Sequence, residues 1–324
     1  MALLDLPDWE RYAPEVREPA GFDVFWSGTL AEAAAHDPLV DVVPVATDLA
    51  LVDTWDVTFT GFAGHPIRAW LTRPAGTAGR DLPAVVEYLG YGRGRGLPHE
   101  RLVWPCAGYA HLLVDTRGQG GQYGNGGDTP DPVGSGPAAP GFLTRGVTDP
   151  RTAYLRRLLT DAARAVDAVA ALPGVDGTRI AVAGNSQGGG LALAAAGLNP
   201  RAVALLVSAP LLCDIPRSIA LTDAHPYGEI TQFLSVHREA AERVLDSLAH
   251  FDGTHFARRT TAAAHFGVGL RDDVCPPAGA FAAYNVLGGA DKGIEVYPFN
   301  GHEHGEALHS ARQLAWLGTR FGDR

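Results

Sequence analysis

Apolar and polar residues alternate at Trp55, Val57 and Phe59, break at Gly61-Phe62-Ala63-Gly64, and alternate again through Ile67, Ala69 and Leu71. A period of two on both sides of a glycine-bounded turn predicts a β-hairpin. Upstream, Phe22, Phe25, Trp26 and Leu30 recur at helical spacing, so residues 1–50 are expected to form a helical, loop-rich N-terminal extension packed on the main body. Downstream the pattern changes to short apolar runs: Ala84-Val85-Val86-Glu87-Tyr88-Leu89, His111-Leu112-Leu113-Val114, Arg179-Ile180-Ala181-Val182-Ala183 and Val203-Ala204-Leu205-Leu206-Val207. Unbroken apolar runs of this length predict strands buried on both faces. Helical stretches stand among them, Leu155 to Leu172 closing at Pro173-Gly174 and Gly188 to Leu198 closing at Asn199-Pro200. The alternation predicts an α/β fold, a mostly parallel central sheet with helices on both faces.

Two stretches interrupt the rhythm. Residues 121–149 are rich in Gly, Pro and Asp and predict a long loop, which inside a compact protein is commonly functional or packed on a partner. Residues 213–257 turn helical, with many histidines and acids, and predict a helical cap inserted into the alternation. The rhythm resumes at Ala264 to Leu270 and Ile294 to Pro298 and ends in a helix from about Gly305 to Phe321. No internal repeat divides the 324 residues, so residues 1–324 are expected to form a single domain.

Composition narrows the function. Hydrophobic residues are 46% and charged residues 19%, and the formal net charge is −10. These values fit a globular chain and disfavour a nucleic-acid partner. Lys292 is the only lysine, which disfavours Schiff-base and P-loop chemistry. Cys106, Cys213 and Cys275 are widely separated, with no CxxC pair or zinc spacing. No basic leader, long apolar run or membrane-length segment is evident. We therefore expect a cytoplasmic protein with no membrane partner, no cofactor and no metal.

The sharpest chemical signal is Gly184-Asn185-Ser186-Gln187-Gly188, a G-x-S-x-G sequence between an apolar strand and an alanine-rich helix. Such a turn holds the serine above the sheet, and flanking glycines remove Cβ atoms that would clash. The N–H of Gln187 then points at a developing oxyanion, and that of Tyr91, in Tyr88-Leu89-Gly90-Tyr91-Gly92, is the expected second donor. A serine nucleophile needs a base and an acid to orient it, in the chain order Ser, acid, His. Asp272 and Asp273 follow one strand; His302 and His304 follow the last. Asp272 is favoured because it comes directly off the strand, and His302 because it follows Asn300-Gly301 at the strand end. Asp115-Thr116-Arg117-Gly118-Gln119-Gly120 reads as an ion pair of Asp115 and Arg117 that fixes a loop. The group His302, Glu303, His304, Glu306 and His309 lacks the H-E-x-x-H spacing of a helical zinc site.

With these residues the chain resembles the acetyl xylan esterase / cephalosporin C deacetylase family, carbohydrate esterase family seven. The resemblance also covers Pro19-Ala20-Gly21-Phe22-Asp23 with Phe25-Trp26, Gly141-Phe142-Leu143-Thr144-Arg145-Gly146, Asp149-Pro150-Arg151-Thr152, His225-Pro226-Tyr227 and Asp272-Asp273-Val274-Cys275-Pro276-Pro277. It spans nearly the whole chain in order. It implies an α/β-hydrolase fold, a Ser186–Asp272–His302 triad and the Tyr91 and Gln187 backbone donors. It further implies an acyl-enzyme on Ser186 in deacetylation of acetylated xylo-oligosaccharides and other small acetyl esters, including cephalosporin C. Family members assemble as hexamers, trimers of dimers, and the hairpin at 55–71 resembles the extension used there. Asn185 stands where a small residue is more common. The competing readings are a short-chain carboxylesterase or peptidase of the same fold, and a non-catalytic binding module.

Overall fold

The computed structural model describes residues 9–134 and 136–322. Residues 1–8 of the expected extension lie outside them. Helix α1 (Phe22–Ala34) buries Phe22, Trp26, Thr29 and Ala33, the face that the aromatic spacing predicts, and Trp26 Nε1 donates to the His250 carbonyl at 3.0 Å. The extension is not wholly helical or loop. Its end is a strand, β1 (Leu39–Val45), paired antiparallel with β2 (Val52–Thr60). Sequence pattern misses β1 because it is an edge strand with exposed Val40 and Val43, so no alternation marks a buried face. Pro44 is tolerated at such an edge.

The predicted hairpin joins β2 to β3 (Pro66–Pro74), with Val57 opposite Ala69. Both its strands lie inside the sheet, because β3 also pairs with β5 (Ala110–Val114) while β1 forms the edge. Strands β4 (Leu82–Tyr88), β5, β6 (Val175–Asn185), β7 (Ala202–Ser208), β8 (Ala263–Gly269) and β9 (Lys292–Tyr297) are parallel to one another. The order among the described residues is β1-β2-β3-β5-β4-β6-β7-β8-β9.

Alternate residues of the central strands enter different cores. Ala84, Val86, Ile180, Val182, Leu205 and Val207 pack with Leu158 and Val166 of α3 (Tyr154–Ala171), Leu191 of α4 (Gln187–Leu198) and Phe256. Val85, Ala181, Ala183, Ala204 and Leu206 pack on the other face with Trp104, Tyr109, Leu317 and Phe321. Trp104 belongs to the short helix α2 (Val103–Cys106), and Leu317 and Phe321 to the C-terminal helix Glu306–Phe321. Burial on both faces explains why these strands read as unbroken apolar runs.

Between β7 and β8 lie four α-helices, α5 (Ile215–Leu221), α6 (Tyr227–Val236), α7 (Ala241–Leu248) and α8 (Gly253–Arg259). The last packs into the core through Phe256 and Ala257, so the expected cap boundary at 257 cuts a helix that covers the sheet. No helix among the described residues is long and apolar enough to cross a membrane.

Burial of His255 gives a pH prediction. Its ring is fully buried, edge-on to Phe22 at 5.4 Å, and burial pushes its imidazole down to about 4 from about 6.5. Between those values the unfolded chain binds the proton and the folded chain does not, so this residue's contribution to stability falls as pH drops through that window. A phenyl ring there does not titrate. The Tm difference, His255→Phe minus parent, is therefore expected to rise from pH 6.5 to 4; a constant difference would refute it.

Candidate active site

Strand β6 ends in a turn that only a narrow sequence permits. Ser186 sits at φ 60°, ψ −122°, a conformation costing roughly 1–3 kcal/mol for a residue with a side chain. An added Cβ at Gly184 would overlap the Gly188 backbone, and one at Gly188 would overlap the Tyr88 carbonyl. The turn is pinned by three backbone bonds: Ser186 N–H donates to Ser208 O at 3.0 Å, and Ser186 O accepts from Gly190 N at 3.1 Å and Leu211 N at 2.9 Å. The N-terminus of α4 begins at the next residue, so its partial positive charge lies beside the serine hydroxyl.

Asp272 and His302 meet: His302 Nδ1 lies 2.9 Å from Asp272 Oδ2. The other carboxylate oxygen accepts from Val274 N at 2.9 Å and Cys275 N at 2.8 Å, which fixes the acid in place. Asp272 is buried, whereas Asp273 is exposed and takes no part. His304 Nδ1 is 3.1 Å from the His302 carbonyl, and burial pushes its imidazole down. Glu303 accepts from Asn300 Nδ2 at 2.9 Å and Gly301 N at 3.0 Å and so closes the turn that carries His302. Among the described residues no hydrogen bond joins His302 Nε2 to Ser186 Oγ. Such a bond commonly tightens only with substrate in place. The side-chain neighbour of Ser186 Oγ is Cys275 Sγ at 3.8 Å. That thiol is pushed well up by burial, so it stays protonated and inert beside the serine.

Tyr91 follows the end of β4, and neither its N–H nor that of Gln187 finds a protein acceptor among the described residues. The loop carrying it is tied to the serine turn by Gln119. Gln119 Oε1 accepts from Gly92 N at 2.7 Å, and its Nε2 donates to Gln187 Oε1 at 2.8 Å and Tyr154 OH at 3.0 Å. Tyr154 OH in turn donates to Arg117 O at 2.6 Å. Arg117 does not pair with Asp115 as expected. It is fully buried against Asp161 (2.5 and 2.7 Å) and Asp131 (3.2 Å). Asp115 instead accepts from the N–H groups of Arg95, Thr116 and Asp128 at 2.8, 3.0 and 2.6 Å. Breaking a buried pair such as Arg117–Asp161 costs roughly 3–5 kcal/mol, so the loop is firmly held.

The remaining candidates have separate partners. His309 stacks on His265 at 5.3 Å, and Lys292 Nζ donates to the Tyr284 and Asn285 carbonyls at 2.8 and 3.2 Å. No group of three or more His, Cys, Asp or Glu among the described residues could hold a metal ion. The set made of a strained serine, a carboxylate-oriented imidazole and two backbone N–H groups without a protein acceptor among the described residues is of the kind that acyl transfer uses. Sequence reasoning overlooked Cys275 and Gln119 as its neighbours. Gln119 lay within a stretch already singled out, but only the fold shows where its side chain goes.

The model of the family described as acetyl xylan esterase (AXE1) matches residues 1–320. The chain belongs to the acetyl xylan esterase family. Among solved structures, an acetyl xylan esterase from Paenibacillus sp. R4 is 37% identical, with a TM-score of 0.90 over 98% of this chain and 99% of that one. Acetyl xylan esterase 1 from Thermoanaerobacterium sp. JW/SL YS485 is 31% identical, with a TM-score of 0.87 over 97% and 99%. The acetyl esterase Axe7A of Xylanibacter ruminicola is 27% identical over 316 residues, 95% of this chain and 69% of its own length. This acetyl xylan esterase family member is thus a carboxylic ester hydrolase with an α/β-hydrolase fold.

Proposed function

We propose that the protein removes acetyl groups from acetylated xylo-oligosaccharides and other small acetyl esters, cephalosporin C among them, through an acyl-enzyme on Ser186. The observation that carries this reading is the Asp272–His302 pair at 2.9 Å, on the same sheet edge as the strained serine turn. His302 Nε2 takes the Ser186 proton as Oγ attacks the ester carbonyl, and Asp272 stabilises the imidazolium. The N–H groups of Tyr91 and Gln187 hold the oxyanion, each worth about 3 kcal/mol in such sites. Collapse breaks the ester bond and His302 protonates the leaving alcohol. Water then gives its proton to His302 and attacks the acetyl group; acetate leaves and Ser186 regains its proton.

Ser186 is only 6% exposed and has Cys275 at its side, an arrangement that supports a small acyl group. Hydrolysis of 4-nitrophenyl acetate, butyrate and octanoate, followed by acetylated xylo-oligosaccharides and cephalosporin C, tests the proposal. A steep fall in kcat/KM from acetate to octanoate is expected. Faster turnover of the longer esters would make the protein a general carboxylesterase, and inertness to them and to a fluorophosphonate would make it a binding module.

A further inference from the structure

Glu229 lies on α6, outside the set of residues that the proposed reaction uses, and is 1% exposed. A carboxyl group so buried is costly unless fully hydrogen-bonded. Its Oε1 accepts from the Tyr91 hydroxyl, and its Oε2 accepts from Phe142 N and Leu143 N at 2.9 Å each. Phe142 N also reaches Tyr91 OH at 2.7 Å, and the Phe142 ring stands edge-on to that of Tyr91 at 5.6 Å. The approach of the 142 loop is close: an added Cβ at Gly141 would overlap the Glu229 carboxylate. The same helix also reaches the serine side of the site. Tyr227 OH accepts from Leu212 N at 2.9 Å, and the preceding residue, Leu211, donates its N–H to Ser186 O at 2.9 Å. One turn of α6 therefore grips both the loop of the proposed oxyanion donor and the support of the proposed nucleophile.

We infer that Glu229 is a positioning residue that fixes Tyr91 from α6 and so sets the distance between the Tyr91 N–H and Ser186. The inference rests on the reading of that N–H as an oxyanion donor. In Glu229→Gln an amide NH2 replaces one acceptor oxygen and leaves one of its donors unpaired. The Tyr91 O–H then loses its carboxylate acceptor and its ring is held less firmly, while the catalytic side chains stay in place.

The test compares Glu229→Gln, Tyr91→Phe and the double variant on 4-nitrophenyl acetate, with active sites titrated by a fluorophosphonate. Displacing an oxyanion donor lowers kcat by roughly 10- to 100-fold. That loss is expected with KM within about threefold, together with an equal loss of affinity for an alkylboronic acid, whose Ser186 adduct is tetrahedral. The double variant is expected to lose no more than the worse single variant, because both changes break one contact. Should Glu229→Gln not fold, Tyr91→Phe breaks that contact from the other side, keeps the backbone N–H and carries the same expectation. Parental kcat in the folded variants, a rise in KM alone, unchanged boronate affinity, or losses that multiply in the double variant would overturn the inference. Parental activity in Ser186→Ala would instead remove the underlying reading of the site.

Discussion

Ser186→Ala is expected to lower kcat on 4-nitrophenyl acetate by about 10⁶-fold, the scale seen when a triad serine is removed, with Tm within a few degrees of the parent. The catalytic loss follows because no other nucleophile replaces the hydroxyl: the adjacent Cys275 thiol is kept protonated by burial. The stability expectation follows from local structure. Alanine keeps the Cβ and therefore the strained φ of 60°, and the backbone bonds to Ser208, Gly190 and Leu211 do not involve the side chain. The lost hydroxyl leaves only a 3.8 Å contact to sulfur. Steady-state kinetics and a thermal melt on one preparation check both halves. Activity within tenfold of the parent would reject Ser186 as nucleophile.

Asp272→Asn is expected to cost about 10⁴-fold in kcat through the wrong imidazole tautomer. An asparagine carbonyl can keep the two backbone bonds from Val274 and Cys275, so the loop should hold its shape. The amide NH2 then faces His302 Nδ1, which must accept instead of donate. The ring proton moves to Nε2, the atom that has to take the proton from Ser186. Kinetics with a thermal melt read this directly; a loss below tenfold in a folded variant would mean that Asp272 does not orient the base.

What could be read from sequence was local or strongly periodic. The elbow was visible because its requirements lie within five residues, Gly184 to Gly188. The central strands were visible because burial on two faces leaves unbroken apolar runs. Strand β1 escaped because it borders solvent and holds its place by pairing with β2, a long-range fact with no period of its own. Arg117 shows a different limit. A buried arginine near an aspartate suggests a pair, but its partners Asp131 and Asp161 lie 14 and 44 residues away. Glu229 was the least visible, a single acid among the apolar residues of its helix until the fold places Tyr91 and residues 142–143 around it. Side chains that act by holding others are found through three-dimensional contacts, whereas the reacting groups advertise themselves through turn chemistry and chain order.

The proposed reaction depends on an acetyl group carried covalently by Ser186. Rapid quenching of the enzyme with 4-nitrophenyl acetate in acid, followed by digestion and mass spectrometry, measures it directly. One acetyl group is expected on the peptide containing Ser186, formed at the rate of the nitrophenol burst and absent from Ser186→Ala. Acetyl found on another residue at that rate, or turnover with no acetylated enzyme and no burst under saturating ester, would contradict it.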